Sequence, residues 1–554
     1  MTVRNIGSGL SAAAAFTLLI AGCTVGPDFV RPAPPKVTRY TQTSLEHTAS
    51  TANVLGGESQ RLIDGEDIPA GWWQLFNSLA LNNVVEGALR ANPGLKSAEA
   101  ALSVAHENLL AQRGAYFPTV SAGFAASRSK TSAELSPTPS SGALLFNLFT
   151  PEVSVSFAPD VFGLNRRLVE SLQAAEQQTR FELTATYLAL TANVVVAALQ
   201  EAGLREQIRT THELIAANTE SLEVLRQQRA RGYASRLDVA AQEAQLAQVS
   251  AMLPPLLKQL AQQRDLLAAL CGGFASAGVP EEFTLSQLQL PQELPLSVPS
   301  RLIEQRPDVR QAEENLHLAS AQIGVAVANR LPSFTITADI GASATTLSGL
   351  TSNDSGFWDL GAQVVQPIFQ GGTLMHKERA ARAAYVQADE QYRSAVIAAF
   401  QNVADTLAAL GHDADALQAA AASAQAAAAT LDVVRAQQRA GYAGYLQLLS
   451  AEQTYQTAVI TLVQAQTNRF TDTAALFQAL GGGWWNRGDP RMGDLAGNPA
   501  ANCAVACLEA RRTLLRHAET ALEREPDARD RPLVEQAADE GDTVWHAPRW
   551  MELR

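Results

Sequence analysis

Ser333-Phe334-Thr335-Ile336-Thr337-Ala338-Asp339-Ile340-Gly341-Ala342 is the stretch that decides the fold. Successive side chains of an extended chain point to opposite sides, so Phe334, Ile336, Ala338 and Ile340 share one face. Ser333, Thr335, Thr337 and Asp339 take the other. Three more segments alternate in the same way: Thr119–Ser127, Glu152–Phe157 and Phe357–Val364. In the first of them Val120, Ala122, Phe124 and Ala126 oppose Thr119, Ser121, Gly123 and Ser127. A strand with lipid on one side and water on the other needs this period of two. Four strands do not close a barrel, because the smallest transmembrane barrels use about eight. Either several chains pool their strands, or these are ordinary half-buried sheets.

Around the strands run very long helical stretches. No proline falls between Pro367 and Pro490, and after Gly372 only Gly411 interrupts before Gly441. Ala, Gln, Leu, Glu and Arg fill the interval, and these residues favour helix. About seventy helical residues extend on the order of 100 Å. Gly163 to Gly232 offers a comparable run, broken only by Gly203. Helices of that length need lateral partners and do not belong in a compact enzyme. Ala419–Ala429 is rich in small residues and admits close helix packing, and the sustained bulky heptads of a coiled-coil filament are missing. Pro254-Pro255 predicts a local kink or a connection in the return helix of the first half. Val25–Ala70 and Gly272–Ser300 are Pro/Gly-punctuated and predict loop-like straps around the helices.

The chain is internally duplicated. Asn92-Pro93 matches Arg306-Pro307, and Tyr116-Phe117-Pro118 matches Arg330-Leu331-Pro332, at one offset (306 − 92 = 214; 332 − 118 = 214). Gly232-Tyr233-Ala234 matches Gly441-Tyr442-Ala443 (441 − 232 = 209). Each half reads helix, strand, strand, long helix, turn, long helix. The expected organisation is a signal peptide over 1–22, an N-terminal strap over 23–70, repeats over 71–298 and 299–483, and an extension over 484–554 whose role is unreadable.

Arg4 followed by the apolar Ala12–Ile20 reads as a bacterial secretory signal. Ile20-Ala21-Gly22-Cys23 resembles a lipobox, which makes Cys23 the expected lipidated first residue. Thr24 follows it, so no aspartate marks inner-membrane retention, and the outer membrane is the expected destination. No later stretch of eighteen apolar residues remains to form a membrane helix. Cys503 and Cys507 stand four apart, a poor spacing for a disulfide within a helix, and Cys271 lies in apolar context.

With 554 residues, 47% of them hydrophobic, the chain supports a large core. Its net charge of −13 argues against nucleic acid. His47, His106, His212, His317, His376, His412, His517 and His546 are scattered without metal-ligand spacing, and Gly481-Gly482-Gly483 ends a helix and cradles no phosphate. Neither an enzyme nor a cofactor is expected beyond the covalent lipid on Cys23.

Several motifs then stand together: Cys23-Thr24-Val25-Gly26-Pro27-Asp28, Trp72-Trp73-Gln74-Leu75-Phe76, Leu253-Pro254-Pro255-Leu256, Arg306-Pro307-Asp308-Val309-Arg310-Gln311-Ala312-Glu313, Ile323-Gly324-Val325-Ala326 and Pro367-Ile368-Phe369-Gln370-Gly371-Gly372. With them the chain resembles, over roughly residues 20–485, the outer-membrane factors of tripartite resistance-nodulation-division efflux systems. The resemblance implies a mainly α fold with a small membrane β-barrel: a homotrimer in which three chains give four strands each to a twelve-stranded barrel, above a long α-helical barrel. It implies a passive exit duct for small molecules, partnered by a periplasmic adaptor, an inner-membrane pump and outer-membrane lipid. It places adaptor-contacting tip turns at Arg229, Gly232, Tyr233 and Ala234, and at Arg439, Gly441, Tyr442 and Ala443. The aperture falls at Leu446, Gln447 and Ser450, where relatives often carry acidic residues and this chain does not. Asp238 supplies negative charge there, or else it is simply a helix-start carboxylate. A channel for protein secretion and a lipoprotein scaffold without a pore are the alternatives.

Overall fold

The computed structural model describes residues 24–130 and 145–487. All of them fall in one compact unit, Met1–Met492; the second unit, Gly493–Arg554, lies outside the described residues. So do Cys23, Cys503 and Cys507, with the lipidation and disulfide readings made for them.

The first half carries β1 (Arg61–Asp64), α1 (Leu79–Ala91), α2 (Pro93–Arg113), β2 (Thr119–Lys130), β3 (Leu145–Phe157), α3 (Leu164–Ala230) and α4 (Arg236–Leu270). The second carries β4 (Glu293–Leu296), α5 (Pro299–Gln305), α6 (Pro307–Ala328), β5 (Ser333–Ala342), β6 (Gly356–Val365), α7 (Thr373–Arg439) and α8 (Tyr445–Ala479). Each repeat opens with two helices where one was expected. Asn92 explains the first case: it sits in extended conformation, its side chain accepts from Leu95 N, and Pro93 occupies the first turn of α2. Proline there lacks only a donor that the helix would leave orphaned.

α3 and α7 are 67 residues each, and α4 and α8 are 35 each. At about 1.5 Å per residue the longer pair reach about 100 Å. α3 packs against α2, α4, α6 and α8, and α7 packs against α6 and α8. Windows of α3 and α7 are apolar enough to cross a membrane by composition, but two-thirds of the α3 window is buried inside the helical body. There Ala192, Val194, Val195, Ala197 and Ala198 serve as core.

Two corrections follow from proline. The helix α4 continues through Pro254 and Pro255, so of the kink or connection expected there the connection is absent. Both prolines are solvent-exposed, which lets water take the carbonyls that lose their amide donors. β3 begins at Leu145, not Glu152, and runs through Pro151. The β5 ladder on β3 stops at Glu152, so Pro151 sits where one neighbour demands no donor.

The straps contain a parallel pair that alternation did not reveal, β1 on β4, with Leu62 beside Leu294. An aromatic core joins the segment after β1 to α8. Trp72 stacks on Phe477 at 5.2 Å, and Phe76 meets Phe470. Each such side chain contributes about 2–3 kcal/mol by burial. The body also extends past Gly483. Trp484 is buried and its Nε1 donates to Gln305 O at 2.7 Å, while Trp485 Nε1 donates to Asp67 Oδ1 at 2.8 Å.

Candidate functional site

The strands form one antiparallel sheet in the order β2-β3-β5-β6, with β2 and β6 as its edges. Its register aligns the alternation across all four strands. Val120 pairs with Val155, Val155 with Ala338, and Ala338 with Leu360; Ala122 pairs with Val153, Val153 with Ile340, and Ile340 with Trp358. One face is therefore continuously apolar, and it is open: Trp358 is 77% exposed and Phe124, Ile340, Leu360 and Val364 are exposed with it. The opposite face brings together Ser121, Ser154, Asp339 and Asp359. An apolar face of this extent turned outward is what lipid contact requires.

The two long hairpins reverse through matching turns. α3 ends at Ala230 and α7 at Arg439. Gly232 (φ 82°) donates to Arg229 O and Tyr233 N to Gln228 O; Gly441 (φ 80°) donates to Gln438 O and Tyr442 N to Gln437 O. Both are Schellman closures, in which glycine accepts the left-handed conformation without strain. They leave Tyr233 and Tyr442 almost free in solvent, the latter 87% exposed. Arg229 and Arg439 are exposed beside them, and Ala234 and Ala443 are half-buried.

Leu446, Gln447 and Ser450 occupy the first turns of α8, all exposed and on one face by their three- and four-residue spacing. The same side continues as a shallow groove with Gln453, Thr454, Thr457 and Thr461. Thr454, Thr457 and Thr461 each donate back to the carbonyl four residues earlier, so their methyl groups face outward with the hydroxyls satisfied. Glu452, nearest in sequence to these positions among the α8 carboxylates, is buried and paired with Arg435 at 3.5 Å. Burial raises its carboxyl above the usual range. Asp238 lies on the other hairpin, where it closes a capping box: Asp238 N donates to Ser235 Oγ at 3.1 Å and Ser235 N to Asp238 Oδ2 at 2.9 Å. The helix-start reading of Asp238 thus has a direct geometric basis.

Just behind these positions, Tyr445 joins the hairpins. Its hydroxyl donates to Gln242 Oε1, and the ring packs against Leu222, Leu225 and Val239 on one side and Leu448 and Ala451 on the other. Gln245 Nε2 donates to Gln456 Oε1 at 2.8 Å, and Gln453 Nε2 to Gln245 Oε1 at 2.7 Å. These links went unread in the sequence, since no local pattern ties residue 242 to residue 445.

At the far end of α3, the N-terminal segment is bolted to the helices. Arg167, only 4% exposed in its side chain, donates from Nε to Val25 O at 3.0 Å. Its Nη2 reaches Gly26 O at 3.2 Å and Asp28 Oδ1 at 2.8 Å, and its Nη1 reaches Glu170 at 2.7 Å. Phe29 stacks on His317 at 4.3 Å, and Arg31 pairs with Glu313 at 2.7 Å. Burial alone would lower the His317 imidazole, but hydrogen bonds to Glu170 and Glu314 outweigh it and raise it to about 9. His317 is therefore a cation at neutral pH.

Comparison with known proteins agrees with this geometry. The sequence profile of the family described as "Outer membrane efflux protein" matches residues 84–273 and 298–482. The "Probable efflux pump outer membrane protein TtgC" of Pseudomonas putida is 28% identical over 473 residues, which cover 85% of this chain and 94% of that protein. "Outer membrane protein OprJ" of Pseudomonas aeruginosa is 27% identical over 488 residues, covering 87% and 97%. Among solved structures, the outer-membrane channel OprN superposes with a TM-score of 0.73 at 26% identity, covering 83% of this chain and all of that one.

Proposed function

Because the chain belongs to the outer membrane efflux protein family, we propose that it is the outer-membrane channel of a tripartite efflux pump, a passive duct for small molecules. The observation that carries the reading is the sheet: four strands, one open apolar face, and two unpaired edges at β2 and β6. An isolated sheet of that kind invites edge pairing. In a bilayer, where every backbone group needs a partner, edge pairing has to close a ring. Three copies give twelve strands, within the known range of membrane barrels.

In this reading the hairpins of three chains surround a helical conduit below the barrel. Tyr233 and Tyr442, with Arg229, Gly232, Ala234, Arg439, Gly441 and Ala443, present the tip to a periplasmic adaptor. Leu446, Gln447 and Ser450 narrow the passage with uncharged side chains, and Asp238 stands behind as a cap with one carboxylate oxygen engaged. Cys23 carries lipid, and the clamp at Arg167 holds the chain that follows it against the base of the barrel. Transport is driven by the inner-membrane pump, since the duct does no chemistry of its own.

Native mass spectrometry of protein extracted from outer membranes tests the assembly, and single-channel recording tests the pore. A lipid-modified trimer with conductance is expected. A monomer without conductance would leave the sheet edges unpaired and overturn the reading.

A further inference from the structure

The two repeats meet inside the chain at a closed seam. There β3 pairs with β5, Val155 opposite Ala338 and Val153 opposite Ile340. Beyond the strands α3 packs on α6, and Gly324 of α6 is buried against the Arg167 side chain of α3. The counterparts of these elements stand at the outer flanks of the chain, where β2 and β6 are the edges of the sheet. By element order, β6 and α7 repeat β3 and α3, and α2 and β2 repeat α6 and β5.

Two constant offsets relate the seam to the flanks. α3 and α7 both open after a left-handed glycine, Gly163 and Gly372 (372 − 163 = 209). β2 and β5 begin at Thr119 and Ser333 (333 − 119 = 214). Carried over, Pro159 and Asp160 become Ile368 and Phe369, while Leu331 and Phe334 become Phe117 and Val120. The four at the seam are partly buried. The four at the flanks are open, Ile368 to 89% and Phe117 to 71%. Gly324 and Arg167 correspond to Leu110 and His376, which are exposed where the originals are buried. Flanks that repeat the two sides of one contact are complementary to each other. The sheet of one chain holds them apart, so the partner for each is a second copy of this chain.

We propose that the β6–α7 flank of one copy joins the α2–β2 flank of the next in the register of the internal seam, Val364 opposite Phe124 and Ala362 opposite Ala126 (155 + 209 = 364, 338 − 214 = 124; 153 + 209 = 362, 340 − 214 = 126). This rests on the duct reading and adds which backbone positions close its barrel. β2 and β6 run in opposite directions across the sheet, so the new pair is antiparallel like the others. The register keeps Val364, Ala362, Phe124 and Ala126 on the apolar face. A slip of one residue would break that match, whereas a slip of two would keep it, so alternation alone does not choose between them. The duplication does. Because the contact joins unlike flanks, each copy passes it to the next until the ring closes.

Cysteine cross-linking of the full-length protein in outer membranes tests the register. Opposite residues of a ladder stand about 4.5–5.5 Å apart at Cα, within reach of a disulfide, whereas partners two residues away stand about 7–8 Å apart. Val364→Cys combined with Phe124→Cys is expected to give a covalent trimer under mild oxidation. Its yield should exceed by about tenfold that of Val364→Cys combined with Ala122→Cys or with Ala126→Cys. Ala362→Cys with Ala126→Cys gives the same reading should the Phe124 variant fail to fold, and single variants control for Cys271, Cys503 and Cys507. A trimer by native mass that links best at a slipped pair, or at none, overturns the register and leaves the duct reading standing. A monomer that links at none overturns both.

Discussion

Replacing Arg167 with alanine should detach the N-terminal segment without unfolding the helices. The guanidinium makes two bonds to backbone carbonyls, at Val25 and Gly26, that no other side chain replaces. A hydrogen bond involving a charged group contributes about 1.5 kcal/mol or more, so the pair gives about 3 kcal/mol. The bond to Asp28 adds little, because that carboxylate is almost fully solvated. Glu170 is not orphaned by the change, since His317 Nε2 remains 3.2 Å from it. About 3 kcal/mol is about a hundredfold in the local opening equilibrium. Hydrogen exchange of peptides covering 24–31 should therefore accelerate by that factor, while peptides from the middle of α3 stay unchanged. Arg167→Lys keeps the charge but not the planar fork, and should recover only part of the protection. Unchanged exchange in Arg167→Ala would refute the clamp and assign the attachment to the Phe29–His317 stack and the Arg31–Glu313 pair.

Other outcomes can be checked alongside. The His317 imidazole, raised to about 9 in the fold against about 6.5 in an unfolded chain, contributes stability that is full below about pH 6.5 and is lost as pH rises through about 9. Thermal midpoints measured from pH 6 to 10 should fall in the wild type and fall less in His317→Gln; parallel curves would dismiss the imidazole as the cause. Ser235→Ala removes the acceptor for Asp238 N and should cost about 1 kcal/mol, seen as faster exchange in the first turn of α4 and nowhere else. Tyr445→Phe deprives Gln242 Oε1 of its donor at a cost of about 1–2 kcal/mol, and a dye-leak assay in reconstituted vesicles should show a looser tip. Glycine at both Leu446 and Gln447 should raise that leak further, and an unchanged leak would move the constriction elsewhere.

The strands were the most legible part of the chain. β5 occupies the bounds its alternation predicts, and β6 exceeds its prediction by one residue at each end. Period-two patterning survives because both faces of the sheet are exposed to contrasting surroundings. The first half of β3 escaped because Leu145-Phe146-Asn147-Leu148-Phe149-Thr150 does not alternate, and only the register with β5 reveals that Pro151 falls in a gap of the ladder. Pro254-Pro255 left a kink and a connection open, and the unbroken helix removes the connection because exposed carbonyls there can turn to water. The resemblance placed the two turns, and Gly232 and Gly441 take the left-handed conformation there. Tyr445–Gln242 and Gln245–Gln456 were invisible, because each joins segments whose nearness is a product of the fold. The β1–β4 pair escaped notice too, its strands being four residues long and 229 positions apart (293 − 64 = 229).

Gly232 lies 69 residues beyond Gly163, and Gly441 lies 69 beyond Gly372 (232 − 163 = 69; 441 − 372 = 69). Two hairpins grown from one sheet to equal length behave like the legs of a table. Adding one residue to α3 alone would lower its turn by about 1.5 Å and swing everything beyond it by about 100° around the helix. Tyr445 would then face the wrong partner. Changes of length in this chain are therefore tolerable only as matched edits to both hairpins, in steps close to whole turns.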